Sequence, residues 1–198
     1  PTEPGGFPTE IAEPSYDIVV FENRFPSLTP EPLPPAVEST DFYPVRPGQG
    51  QCEVVVYSSD HNTTLSREPV EQIYKLVQVW IDRYRELSAL EFVDYVFIFE
   101  NKGKEIGVTL HHPHGQIYAY PFVPPLVQRE LHQSKMHHDK TGVCLLCDIL
   151  KREKEDGRRI IAENESFTAH IPFFARYPYE VHVSANRHLQ DITQLTVP

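Results

Sequence analysis

Leu110-His-His-Pro-His-Gly-Gln116 places three histidines within four positions and runs directly into a strand-forming stretch, Gly115-Gln-Ile-Tyr-Ala-Tyr120. Pro113 fixes the backbone beside two of the imidazoles and Gly115 releases it, so the rings have little conformational freedom left to lose. In an extended segment alternate residues face the same way, which directs His112 and His114 to one side. An isolated pair of histidines reads as a surface or core feature, whereas three held this closely read as a site. A neutral imidazole can act as a covalent nucleophile and split one difficult transfer into two easier ones. Gln116 can neither give nor take a proton at neutral pH, so it suits donation to a phosphoryl oxygen. A histidine at that position would point to hydrolysis; glutamine points to transfer onto another phosphate.

Working outward, Phe92 to Glu100 (FVDYVFIFE) reads as a second strand, joined to the histidines by a Gly-containing loop with Lys102 and Lys104. Backbone N-H groups around Gly103 and Gly107 can cradle phosphate there. Val70, Ile73, Leu76, Val77, Trp80, Ile81, Tyr84 and Leu87 recur at helical spacing from Pro69 onward, with Ser66 and Glu68 in the capping region. Further upstream, Tyr16 to Phe21 and Cys52 to Ser58 are strands, and the Pro-rich remainder of the first 50 residues is loop. Downstream, Leu126 to His138 and Leu145 to Glu155 are helices, the second stopped by Gly157, and three short strands follow at 159–162, 166–171 and 179–184.

Strand, Pro-rich loop, strand and histidine occur twice. Tyr16 to Phe25 and Glu53 to Tyr57 lead to Asp60-His61; Ile160 to Ile171 and Glu180 to Ser184 lead to Arg187-His188. The expected fold is therefore α+β, a tandem repeat of mainly antiparallel sheet with packed helices. The first unit, 1–140, carries the histidine motif, and 141–198 is the start of a second, incomplete unit. The chain opens at Pro1 and its only methionine is Met136, which suggests a piece of a longer product.

A net charge of -10 argues against nucleic-acid polymers, since phosphate backbones would be repelled by most of the surface. No apolar run nears the roughly 20 residues that span a bilayer, and no secretion signal opens the chain, which points to the cytoplasm. Three cysteines, two of them in Cys144-Leu-Leu-Cys147, suit a reducing compartment. That pair fits a metal clip or a redox pair, the Leu-Leu filling and the following helix favouring the clip. Cys52 reads as a small buried side chain, and His132, His137 and His138 as solvated.

His112-Pro-His-Gly-Gln116 with Phe99-Glu-Asn-Lys-Gly103 closely resembles the galactose-1-phosphate uridylyltransferase family, the transferase branch of the histidine triad superfamily. The resemblance extends through Val20 to Phe25, Ser59-Asp-His61 and Cys144 to Ile149 to Asn186-Arg-His188. It implies a ping-pong exchange in which UDP-glucose gives its uridylyl group to a histidine and galactose 1-phosphate takes it up as UDP-galactose. By motif position His114 is the nucleophile and Gln116 contacts the uridylyl phosphate. Asn101, Gly107 and Thr109 match the phosphate-holding loop and Asn23 a residue near the ribose or base, while Arg24 departs from the acidic residue of some members. The resemblance also implies zinc: His61 and His112 match two ligands of the first repeat, whose Cys pair would lie before Pro1. Cys144, Cys147 and His188 match the second repeat. Glu130 matches a ligand of a second structural metal, zinc or iron, in some members, whose His partners would lie after Pro198, but it reads more readily as an exposed carboxylate on a polar helix. Homodimers are common in the family. Two other readings are an ADP-sugar phosphorylase or adenylyltransferase of the same superfamily, and a catalytically silent zinc-stabilised binding module.

Overall fold

The computed structural model describes residues 11, 15–106, 108 and 112–196, which divide into two compact units. The first ends at Val123 and the second begins at Pro124. The long polar helix thus groups with the second unit, where it packs on the next helix.

In the first unit, β1 (Val19–Glu22), β2 (Gln51–Val56), β3 (Tyr95–Phe99) and β4 (His114–Tyr120) form one antiparallel sheet in the order β1-β2-β4-β3. The histidine strand is therefore interior, paired on both sides: Val56 lies opposite His114, and Phe99 opposite Gln116. Helix α1 (Val70–Ser88) covers one face. Leu76 and Leu87 from the helix join Val55, Tyr57, Val96, Ile117 and Ala119 in the buried core. A bidentate ion pair ties helix to sheet, with Arg83 Nε and Nη2 donating to Glu53 at 2.9 and 2.7 Å. No side chain caps α1; Pro69 itself stands at the N-cap, its fixed φ starting the helix without Ser66 or Glu68. On the opposite face Tyr95, Phe97, Phe99, Tyr118, Tyr120 and Phe122 form a continuous run of ring contacts.

In the second unit, α2 (Pro125–Thr141) begins with proline in its first turn, where a missing N-H costs nothing, and ends at Gly142 in the left-handed region. Helix α3 (Leu145–Asp156) starts at Cys144 and ends at Gly157, again left-handed. Strands β5 (Ile160–Glu163), β6 (Phe167–His170) and β7 (His182–Ala185) form an antiparallel sheet in chain order. β7 starts later than the expected residue 179, since Tyr179 has φ of 63°, outside strand geometry. Buried Glu153 of α3 accepts from Arg159 Nε at 2.6 Å and from the Phe173 backbone N-H at 3.1 Å. His137, expected to be solvated, is half-buried against Asp148 at 3.3 Å. Among the described residues no helix is long and apolar enough to cross a membrane.

Candidate active site

The loop after β2, the loop after β3 and the start of β4 meet around an open cavity of about 420 Å³, lined among others by His61, Asn101, Lys102, Lys104, His112 and His114. Ser58 Oγ accepts from the Asp60 N-H, and Asp60 Oδ1 from the Asn62 N-H, forming tight turns that present His61.

His112 is held at both ring nitrogens. Its Nε2 lies 2.7 Å from the Ser58 carbonyl oxygen, which can only accept, so Nε2 carries the proton and Nδ1 is a lone pair. That Nδ1 faces His61 Nδ1 at 2.9 Å. Two convergent imidazoles, one of them fixed by a backbone carbonyl, could supply two of the four ligands that a structural zinc site takes. Tyr16 Oη approaches the same Nε2 at 3.2 Å.

The next ring repeats the logic. His114 Nδ1 lies 2.8 Å from the His112 carbonyl oxygen and must donate to it, leaving Nε2 as a lone pair. Gln116, one alternation further along the same strand face, accepts at Oε1 from Asn23 Nδ2 at 3.4 Å. The amide oxygen is thereby used, and its NH2 group is left to donate. His114 and Gln116 are thus placed by one strand, and Asn23 and Asn101 by the loops after β1 and β3, with Lys102 and Lys104 supplying local positive charge in an acidic chain. Gly107 and Thr109 lie outside the described residues.

Gly115 is required by space, a correction to its reading as a flexible release point. A Cβ there would meet Tyr57 Oη at 2.0 Å and the Phe99 carbonyl oxygen at 2.9 Å. Tyr57 is 1% exposed, and its hydroxyl is placed to donate to the Glu100 carboxyl. Burial pushes the Glu100 carboxyl above the usual range, against the opposing pull of Lys102 and His114. Sequence reasoning passed over Tyr57, Glu100 and the Ser58 carbonyl. Only Glu100 left a trace, as an acid inside Phe99-Glu-Asn-Lys-Gly103.

In the second unit the donor atoms of Cys144, Cys147 and His188 lie within 4.8 Å of one another, with Cys147 Sγ 3.3 Å from His188 Nδ1. Burial and the neighbouring Cys144 raise the Cys147 thiol, a shift that a bound cation reverses. This trio fits a metal ion. Glu130 stands exposed on α2, and no group of three potential ligands among the described residues includes it.

Known uridylyltransferases resemble this chain in sequence and in fold. The galactose-1-phosphate uridylyltransferase of Thermotoga maritima is 45% identical over 181 residues, which is 91% of this chain and 56% of the relative. That of Streptomyces lividans is 42% identical over 98% of this chain and 50% of the relative. The chain thus spans about half the length of these relatives. A solved uridylyltransferase structure superposes with a TM-score of 0.86 at 36% identity, covering 98% of this chain and 65% of the other. An ADP-glucose phosphorylase from Arabidopsis thaliana with bound ADP-glucose superposes at 0.77 with 27% identity, over 96% of this chain and 57% of the other. Residues 7–124 match the galactose-1-phosphate uridyl transferase N-terminal domain, and the chain belongs to that family.

Proposed function

We propose that the protein is a UDP-glucose–hexose-1-phosphate uridylyltransferase working through a covalent uridylyl-histidine. The observation that carries this is the hydrogen bond from His114 Nδ1 to the His112 carbonyl, which leaves Nε2 with its lone pair at the cavity. Nε2 attacks the α-phosphorus of UDP-glucose: an N–P bond forms, the P–O bond to the β-phosphate breaks, and glucose 1-phosphate leaves with the electron pair. The resulting imidazolium keeps its Nδ1 proton, which still bonds to the carbonyl and spreads the positive charge. A phosphate oxygen of galactose 1-phosphate then attacks phosphorus, the N–P bond breaks, and UDP-galactose departs. No proton need move in either half, consistent with Gln116 in place of an acid or base. Its NH2 group donates to the phosphoryl oxygens as charge builds on them. Asn101, Lys102, Lys104, Gly107 and Thr109 hold the phosphates, and Asn23 positions Gln116 and the nucleoside end.

Zinc would be held by His61 and His112 in the first unit and by Cys144, Cys147 and His188 in the second, where it would supply structural cross-linking. The family resemblance supports two histidine-triad-like repeats, the first carrying the motif, together with a cytoplasmic homodimer.

The full-length protein incubated with UDP-glucose labelled in the uridylyl group is expected to carry an acid-labile, base-stable adduct that His114→Ala abolishes. An adduct persisting in that variant overturns the assignment. Labelling by ADP-glucose alone would select an adenylyl chemistry, in line with the likeness to the phosphorylase.

A further inference from the structure

We infer that Tyr57 and Glu100 form a strut beneath the histidine strand that sets the position of His114, making both of them positioning residues for the transfer. The inference rests on the uridylyltransferase reading and deepens it. Three chain segments converge at this point. Tyr57 follows the last residue of β2, and its N-H donates to the Pro113 carbonyl at 3.2 Å, beside the nucleophile. Its hydroxyl passes under Gly115, the residue after His114, where a Cβ would lie only 2.0 Å away. The Phe99 carbonyl lies 2.9 Å from that same Cβ position, which brings the hydroxyl to Glu100, the residue after β3 that begins the phosphate-holding loop, where it is placed to donate to the carboxyl.

One side chain therefore fixes the separation of the nucleophile strand and the phosphate loop. A tyrosine in a core needs a partner for its hydroxyl, and in this core the partner is the one carboxyl lining an otherwise neutral or basic cavity. Phosphate chemistry gains nothing directly from a carboxylate, which repels the substrate. Glu100 is better explained by what it holds: with the hydroxyl on one side and the Lys102 charge nearby, it turns Asn101 and Lys102 toward the cavity. The bond spans the strand that carries His114, so its loss lets the reacting groups drift, and a misplacement of about 1 Å costs about a hundredfold in rate.

Four variants of the full-length protein test this. Tyr57→Phe and Glu100→Ala are each expected to slow single-turnover uridylylation at saturating UDP-glucose at least tenfold, with KM within about twofold of wild type. Glu100→Gln, whose amide oxygen still accepts the hydroxyl proton, is expected to retain the rate within about threefold. Because one bond is removed in either case, the Tyr57→Phe/Glu100→Ala double variant should be no slower than the slower single. Wild-type rates in Tyr57→Phe, or multiplying losses in the double variant, overturn the inference. A loss in Glu100→Gln as large as in Glu100→Ala overturns it too, because the charge and not the bond then matters. Hydrogen exchange across residues 113–118 reads the strut without substrate: faster exchange in Tyr57→Phe and Glu100→Ala but not in Glu100→Gln is expected, and unchanged exchange refutes it. Wild-type protein that forms no adduct while these exchange differences appear would refute the transferase reading and leave the strut standing.

Discussion

Gly115→Ala isolates the packing under the histidine motif. The new methyl would lie 2.0 Å from Tyr57 Oη, 3.0 Å from Tyr57 Cζ and 2.9 Å from the Phe99 carbonyl oxygen. The strand cannot retreat from two of these at once, because β4 is hydrogen-bonded to β2 on one side and to β3 on the other. Overpacking of this kind costs about 1–3 kcal/mol. Displacing the tyrosine hydroxyl also breaks its bond to a half-buried carboxyl, worth about 1.5–3 kcal/mol. Together about 3–5 kcal/mol would be lost, a large part of the 5–15 kcal/mol typical of a domain. With a urea slope of about 2 kcal/mol per molar, the unfolding midpoint of the first unit should fall by roughly 2 M. Trp80, the only tryptophan, lies edge-on to Tyr57 at 6.5 Å between ring centroids, so its fluorescence reports this unit. Tyr57→Phe in the same background removes the atom at 2.0 Å but not the ring carbon at 3.0 Å, and should recover part of the midpoint. A Gly115→Ala protein that unfolds within about 0.5 M of wild type would refute the packing argument.

Gln116→Ala should lower turnover by about two to three orders of magnitude with His114 still able to be labelled; normal turnover would remove Gln116 from the transition-state contacts. His61→Ala, His112→Ala and Cys147→Ser should each lower bound metal as measured by elemental analysis, and unchanged content would count against ligation by that residue. Arg83→Met strands Glu53, which is 4% exposed, and should cost about 3–5 kcal/mol in the Trp80 titration, with Glu53→Gln recovering part of it in the double variant. Burial holds the His170 imidazole below its ordinary value, aided by His182 and Arg159 and opposed by Glu153 and the backbone at Ile171. A folded-state value below the unfolded one means the neutral ring contributes stability that is present above about pH 6.5 and lost as pH falls. The melting temperature of the second unit should therefore fall as pH drops below about 6.5, and an equal pH dependence in His170→Leu would refute it.

Elements whose burial is one-sided were legible in the sequence. Leu76, Trp80 and Leu87 recur at helical spacing because one stripe of α1 meets the sheet, and Ile117 and Ala119 alternate with His114 and Gln116 because one face of β4 is core and the other site. Element ends were less so. Ser66 and Glu68 looked like caps, yet the backbone of Pro69 started the helix on its own. The motif residues were legible as types, but the contacts that orient them were not. Ser58 contributes a carbonyl, which every residue has, and Tyr57 meets Glu100 across a whole helix and strand of intervening chain. Glycine's role was misjudged for the same reason, since a clash with a distant hydroxyl leaves no local pattern.

The two hydrogen bonds of His112 connect the candidate metal to the candidate nucleophile through a single residue. Its ring donates to Ser58 and turns Nδ1 toward His61, while its own carbonyl accepts from His114. A metal bound by the two rings would fix the His112 side chain, Pro113 restricts the backbone next to it, and the carbonyl that selects the tautomer of His114 is thereby held in place. The spacing of the motif follows from this. With His112 and His114 separated only by Pro113, the ring of one can serve metal binding while its carbonyl orients the other. A longer spacer would leave the nucleophile's Nδ1 proton to water and its Nε2 lone pair without a fixed direction. A metal held by these two rings, outside the reacting atoms, would thus affect the rate through orientation of the imidazole and with no contact to phosphate.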